Sequence, residues 1–584
     1  MPRSPAPRLS QVLLAAFLVN LIPTTTQVLG RTFDAETHLF FADHYASAWF
    51  EGWEPRWYGG FWVFSYPPLL HQLVALVSKI TDLETACRCV QLGILTALPL
   101  SVWLLANAIA DRATAGWAAA FAVASAGVYT TIYSFGQLPT LAALVLALSA
   151  TASLARYLSR GRTVDLVAWT GLGGACVATH HLTGIVGLPM LAVTTLLWLA
   201  LRPHREDDPS LATRLRRTGV AALTLGLAAV IVLIPFVWWS HHGRVMQAEI
   251  PHPTRTAFLS DPGLLWLLVL GEWGPLPLLS PVLLWACVQR RELWAFTALV
   301  ALLATLSLGP AYTPVPGLMF PGLSYWLTYE RFALWGALVA LLPLGAWMSR
   351  TATPSLALAL LALFASVALQ AATHTTHTAL VKRTADAEQV TAVANWLSSH
   401  GRDRWRYVSF GLSEGDMPRL SRLSHAQTID GTYFTARRDP LLSRSGMGCV
   451  DTVAEQSNGM MNYVRVILSH PEPYNLRWAA CASPECARLL HTLRWQCLGI
   501  VKGVHLEPCS DGAHPPEDGL TLWEAPQRCV VPEVSPEVPS APGALALIWG
   551  IVPTSLLVLG IVASVRARLE EPVNVTGAPS VTSA

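Results

Sequence analysis

The chain has 584 residues, of which 53% are hydrophobic and 13% charged, and its mean hydropathy is +0.42. The charged share is about half that of an ordinary soluble domain, which excludes a purely soluble enzyme. A formal net charge of +2 gives no electrostatic footprint for nucleic acid.

In chain order, Arg3 and Arg8 precede an apolar run from Val12 to Ile22 that mimics a signal peptide. The stretch stays uncharged to Leu29 and no A-x-A-like site follows, so it reads as an uncleaved first span; a cleaved signal is the other reading. Apolar stretches at about 10–30, 84–110, 115–133, 139–157, 163–180, 183–201, 218–239, 270–288, 292–309, 331–349, 354–373 and 543–565 predict about twelve membrane-spanning helices. Arg112, Arg156, Arg160, Arg162, Arg202, Arg205, Arg214, Arg216, Arg217, Arg290, Arg291 and Arg350 fall in one alternate set of loops, with Arg566 and Arg568 in the tail. By the positive-inside rule that side is cytoplasmic and holds both termini. The expected division is a transmembrane module over 1–373 with a first outer loop at 31–83, an extracytoplasmic domain at 374–542, a last span at 543–565 and a cytoplasmic tail at 566–584.

The outer domain reads as mixed α/β. "ADAEQVTAVANWLSSHG" has helical spacing and ends at Gly401, "RYVSFG" and "GLTLWEAP" read as strands, and Pro-rich "VVPEVSPEVPSAPGA" as an extended linker. It carries six of the ten cysteines: Cys449, Cys481, Cys486, Cys497, Cys509 and Cys529. An even number outside the cytoplasm suggests disulfides, in any of 15 connectivities. A zinc role for Cys481 and Cys486 lacks a supporting His pattern.

The first outer loop is the richest stretch. Asp34, Glu36 and His38 follow the first span directly. Extended, all three point one way; in a helix, Asp34 and His38 share a face and Glu36 leaves it. A short amphipathic helix at about 38–51 is expected to lie in the membrane interface, with Phe41, Tyr45, Ala48 and Trp49 on one stripe and Asp43, His44, Ser47 and Glu51 opposite. "YPPLLHQLVALVSKI" is too short to span and reads as re-entrant or interfacial. Carboxylates between a span and a buried aromatic segment are costly unless they have a task.

This order of features, an acid after the first span, "PRW…GG…YPPL", then a span opening with Arg88 in "ETACRCV", resembles the GT-C superfamily of membrane glycosyltransferases. "FADHYASAWFEGWEPRWYGGFWVFSYPPL", "FGQLPTLAA", "THHLTG" and "YERFALW" are similar, more narrowly, to a membrane family labelled 6-pyruvoyl-tetrahydropterin synthase-related. The label carries no pterin activity here, since no matching His cluster is present. "IDGTYFTARR", with Asp430, Tyr433 and Arg437, resembles a stretch of the same family, without an evident mechanism.

The resemblance implies a GT-C-like fold and sugar transfer on the outer face. The donor is a polyprenyl-phosphate-type lipid-linked sugar; the acceptor is an envelope glycan, lipid or protein. It implies Asp34 and Glu36 as catalytic acids, and His38, Arg88, His180, His181, Glu330 and Arg331 as substrate-binding residues. Arg331 suits phosphate because guanidinium binds phosphate oxygens in a fork. A divalent cation, Mg or Mn, is implied at Asp34 and His181. The next outer loop, "YSFGQLP", holds no carboxylate. Three expectations stay open: Glu36 is the second acid, His180 and His181 complete the site, or activity has been lost. Membrane lipids surround the chain, and the expected setting is a bacterial plasma membrane. A transporter or flippase of lipid-linked sugars is the competing reading, with a silent envelope scaffold as the third. Few charges inside the spans and no matched halves favour the enzyme.

Overall fold

The computed structural model of the protein describes residues 5–27, 29–203, 208–242, 252–324, 326–351, 353–377, 385–437, 439, 442, 458–509, 519–534 and 539–570. Arg205 and Cys449 lie outside them.

Helix α1 is Leu9–Thr26, and α2 is Ala35–Ser47. A small hairpin follows, β1 Trp53–Glu54 against β2 Phe61–Trp62. Helix α3, Leu69–Val77, starts after Pro67 and Pro68, where a missing N–H costs a helix nothing. Helix α4, Leu83–Ile109, is capped by Asp82, whose carboxylate accepts from Thr85 N at 2.9 Å.

Among the described residues, eight helices are long and apolar enough to cross a membrane. Two further crossings are broken: Arg112–Val123 with Ala126–Ser134 bends by 44°, and Pro262–Trp273 with Leu276–Gln289 by 56°. Thr163–Thr179 has 17 residues and Trp294–Ser307 has 14, both short of a full span. The twelve even spans expected from hydropathy are therefore eight full, two broken and two short helices. Hydropathy cannot register a bend. Gly274, with φ +59, and Pro275 turn the chain at the second break. The two broken helices meet there, where Thr130 Oγ1 donates to Gly271 O at 2.9 Å, satisfying a carbonyl that the break would leave bare.

Three of the arginines expected on one side tie helix ends together: Arg156 and Arg162 both bind buried Asp165 at 2.8 Å, Arg162 also donates to Ala567 O, and Arg217 donates to Leu158 O. At the other end of the last helix, Gly543–Leu569, Trp49 of the first loop donates to Gly550 O, and the first loop in turn touches the C-terminal α/β region. That region is a five-stranded sheet in the order β3-β4-β7-β5-β6. Its strands are Arg406–Phe410, Leu476–Cys481, Leu520–Glu524, Gln496–Lys502 and His505–Glu507 in that order. β3 and β4 run parallel; the other pairs are antiparallel. Strand alternation feeds two cores: Val408 and Phe410 pack with Val464, Ile467 and Trp495 on one face, and Tyr407 packs with Val393, Leu397 and Leu420 on the other.

Of the six cysteines, Cys497 and Cys509 form a disulfide. Cys481 and Cys529 are thiols, contrary to expectation. Cys481 ends β4 with its Sγ donating to Ser483 O at 3.1 Å, and Cys529 faces Glu472, so neither is aimed at a second sulfur. Cys486 is buried beside β4.

Candidate active site

Asp34 is the N-cap of α2, and its place is fixed from both sides along the backbone. Its N–H donates to Phe135 O at 3.0 Å, and its carbonyl accepts from His38 N at 2.9 Å. Phe135 belongs to the acid-free "FGQLP" loop, so that loop holds the acid rather than supplying one. Gly136, at φ +69, permits the approach: a Cβ there would lie 2.6 Å from Thr32 Oγ1 and 2.7 Å from Ala35 N.

Because α2 begins at residue 35, the helical alternative holds. Asp34 and His38 share a side, and Glu36 points away. Glu36 is buried and meets Arg422 of the α/β region at 3.3 Å; the same Arg422 nitrogen binds Glu84 at 3.0 Å. Burial, outweighing Arg422, raises the Glu36 carboxyl above its ordinary range. The structure thus places Glu36 in a link between domains, apart from Asp34.

The expected interfacial helix at 38–51 ends at Ser47, and its aromatic side is buried. That side packs on the hairpin, where Phe41 meets Phe61 edge-on at 5.9 Å, and on Tyr433 of the α/β region and Trp549 of the last helix. On the polar stripe, buried His44 binds Glu54 at 3.0 Å and Arg56 joins Glu54 to half-buried Asp43, while Ser47 and Glu51 are exposed. Protein thus covers the aromatic stripe that a membrane surface was expected to touch.

Around Asp34 the site is built from five segments. Asp34, Tyr66, Arg331 and Glu414 are half-buried; His38, Glu330 and His180 are buried. Burial pushes the Asp34 carboxyl up to about 6, with Arg331 pulling it down and Glu330 pushing it up. Arg331 opens the helix Glu330–Thr351, and Gln137 bridges the two residues there. Its Oε1 accepts from Arg331 Nε at 3.3 Å, and its Nε2 donates to Glu330 Oε1 at 3.5 Å. His252 faces Glu330. His38 Nδ1 lies 3.2 Å from His71 Nε2, and burial holds both imidazoles below the ordinary range, so both are neutral at pH 7. Tyr66 lies beside His38, within the fields of Asp34 and Arg331.

His180 and His181 part company, as adjacent residues at a helix end must. His180 binds Thr183 Oγ1 at 2.7 Å and stands within the fields of Arg331 and His38. His181 turns its ring edge-on to Phe236 at 4.5 Å. Arg88 donates to Gln27 O at 3.2 Å, just past the end of α1. Among the described residues, no three His, Cys, Asp or Glu side chains converge as a cation site. With His181 turned toward Phe236, the described residues do not fit a built cage for Mg or Mn.

"IDGTYFTARR" acquires a role as a clasp. Thr432 Oγ1 meets Thr37 Oγ1 at 2.8 Å, Tyr433 donates its hydroxyl to Ser65 O at 2.9 Å, and Asp430 pairs with Arg437. Glu414, Gln137 and Tyr66 were not singled out from sequence; only their neighbours in space mark them. An apolar cavity of about 470 Å³ lies between α1 and the helix Pro354–His377, lined by Val12, Val19, Pro23, Tyr129 and Leu369. None of the site residues lines it.

No protein-family model matches the chain, and no curated protein does. The fold is that of GT-C membrane glycosyltransferases. The chain is similar to the arabinofuranosyltransferase AftD from Mycobacteria, with a TM-score of 0.54 and 15% identity over 90% of this chain. It spans only 40% of that longer protein. It is also similar to ArnT from Cupriavidus metallidurans bound to undecaprenyl phosphate, with a TM-score of 0.51 and 13% identity, over 88% of this chain and 98% of the other. At such identities the likeness concerns the fold.

Proposed function

We propose that this protein is a membrane glycosyltransferase that moves a sugar from a polyprenyl-phosphate-type donor to an envelope acceptor, on the side of the membrane facing away from the cytoplasm. The observation that carries the reading is the pairing, at one end of a GT-C bundle, of a half-buried acid held by backbone bonds with a half-buried arginine. Asp34 takes the proton of the acceptor hydroxyl as that oxygen attacks the anomeric carbon. The bond from anomeric carbon to phosphate oxygen breaks, and its electron pair leaves on the lipid phosphate beside Arg331. His38, Tyr66 and His180 border the sugar. The setting in a bacterial plasma membrane and the narrower family resemblance rest on the arginine distribution and on the motifs that build this site.

The test is transfer from radiolabelled polyprenyl-phosphate sugars by purified protein in nanodiscs, with and without EDTA. Asp34→Asn is expected to lower the rate by roughly 10²- to 10⁴-fold while keeping the thermal transition. Full activity in Asp34→Asn removes Asp34 from the mechanism. Transfer is expected to persist in EDTA; loss restored by Mg or Mn would give a cation the role assigned here to Arg331.

A further inference from the structure

Glu414 lies in the α/β region, in the turn between β3 and the helix Asp416–Ser424. The turn is fixed on both sides of it. Ser413 Oγ donates to Asp416 Oδ2 at 2.7 Å, and Asp416 N donates back to Ser413 Oγ at 3.1 Å. Next to it, Gly415 presses its backbone on Gly30, four positions before Asp34, so closely that any Cβ would collide with Gly30 O. Glu414 is thereby held over the first loop with its carboxylate half-buried and acting on that of Asp34.

The surrounding charges do not neutralise this pair of acids. Arg422 is taken up by Glu36 and Glu84, and Arg419 also acts on Glu36. Arg31 is exposed, and Arg331, with Glu330 beside it, acts on Asp34 from the other side. Burial, then Asp34, pushes Glu414 up to about 7. A half-buried carboxylate acting on a second one is costly in a protein, and the two have a natural complement in a ligand that offers several hydroxyl donors. The same pair repels anions, whereas Arg331 attracts them.

We propose that Glu414 is an acceptor-binding residue supplied across the domain boundary, and that the acceptor is a neutral polyhydroxylated glycan held between Glu414 and Asp34. The proposal rests on the reading of the site as a glycosyltransferase centre. Glu414 forms no covalent bond and takes no proton in the transfer step; it accepts hydrogen bonds from acceptor hydroxyls other than the reacting one. Donor and acceptor are sorted by charge: phosphate toward Arg331, neutral sugar toward the acids.

The test uses full-length protein in nanodiscs. Equilibrium binding of octyl β-glucoside, octyl β-galactoside and octyl α-mannoside is measured against octyl β-glucuronide, and separately against undecaprenyl phosphate. Wild type is expected to bind a neutral glycoside and to reject the glucuronide. Glu414→Gln is expected to weaken the neutral glycoside about tenfold, the loss of a charge-assisted hydrogen bond, to narrow the gap to the glucuronide, and to leave undecaprenyl phosphate binding unchanged. Glu414→Asp, with its thermal transition, controls for folding and is expected to recover part of the affinity. Equal neutral-glycoside binding by wild type and Glu414→Gln overturns the proposal. So does a wild type that binds no neutral glycoside, or one that prefers the glucuronide. Binding is read without turnover, so a protein that binds as expected but transfers nothing sinks the glycosyltransferase reading and not this one.

Discussion

In the proposed reaction Asp34 acts as a base only when ionised, and burial pushes its carboxyl up to about 6. The transfer rate is therefore expected to rise as pH increases through about 6 and to flatten above, measured as kcat/KM against pH. The linked stability has the opposite sense. A carboxyl raised by folding binds its proton more tightly in the folded chain, so stability is greatest below the unfolded value and declines as pH climbs toward 6. Asp34→Asn should remove both dependences, and a profile unchanged by it would assign the limb to another group. At Arg331 the guanidinium fork is the feature at issue. Arg331→Lys keeps the charge and loses the planar pair of donors, so undecaprenyl phosphate binding is expected to weaken several-fold; unchanged binding in Arg331→Ala would make the residue a helix anchor. Glu36, expected from sequence as a second acid, spends its charge on Arg422. Glu36→Gln should accordingly act on stability more than on rate.

At the scale of elements, the sequence was informative where periodicity and neighbours in the chain decide the outcome. The strands at 406–410 and 520–524 and the helix at 387–399 follow their patterns. The separation of Glu36 from Asp34 and His38 followed once α2 began at residue 35. Long-range docking was not legible. The polar stripe of α2 looked solvent-facing because Glu54 and Arg56, its partners, come from the hairpin, and "IDGTYFTARR" had no meaning until Thr37 and Ser65 stood opposite it. Glu414 gave no signal because its neighbours in the chain say nothing of Asp34. The acid-free loop supplies a direct test. Gly136→Ala introduces a strained φ and a clash with Thr32, so it should destabilise by more than about 1 kcal/mol and shift Asp34. The expected reading is a reduced kcat with undecaprenyl phosphate binding retained. An unaltered kcat would show that the loop does not hold the acid in place.

For the whole molecule, the proposed topology sets the arginine loops on the cytoplasmic side and the α/β region on the other, which is testable with the thiols present. Cys529 is partly exposed and carries a free thiol. In intact cells carrying a Cys89→Ser background, which removes the other exposed thiol, a membrane-impermeant maleimide is expected to label Cys529 without prior reduction, and Cys529→Ser should abolish that signal. Labelling that appears only after membrane rupture would invert the assignment.

The half-buried mouth formed by Asp34, Tyr66 and Arg331 stands at the ends of helices rather than out in the solvent. On the proposed reading, its two reactants arrive from spaces of different dimension. A prenyl-anchored donor would be confined to a two-dimensional sheet, its supply counted per unit of bilayer area. A sugar acceptor approaching from the aqueous side would be counted per unit of volume. Diluting the vesicles with buffer should then leave the donor's apparent saturation untouched, whereas diluting the bilayer with inert phospholipid should lower it, so that a Michaelis constant for the proposed donor would be a mole fraction.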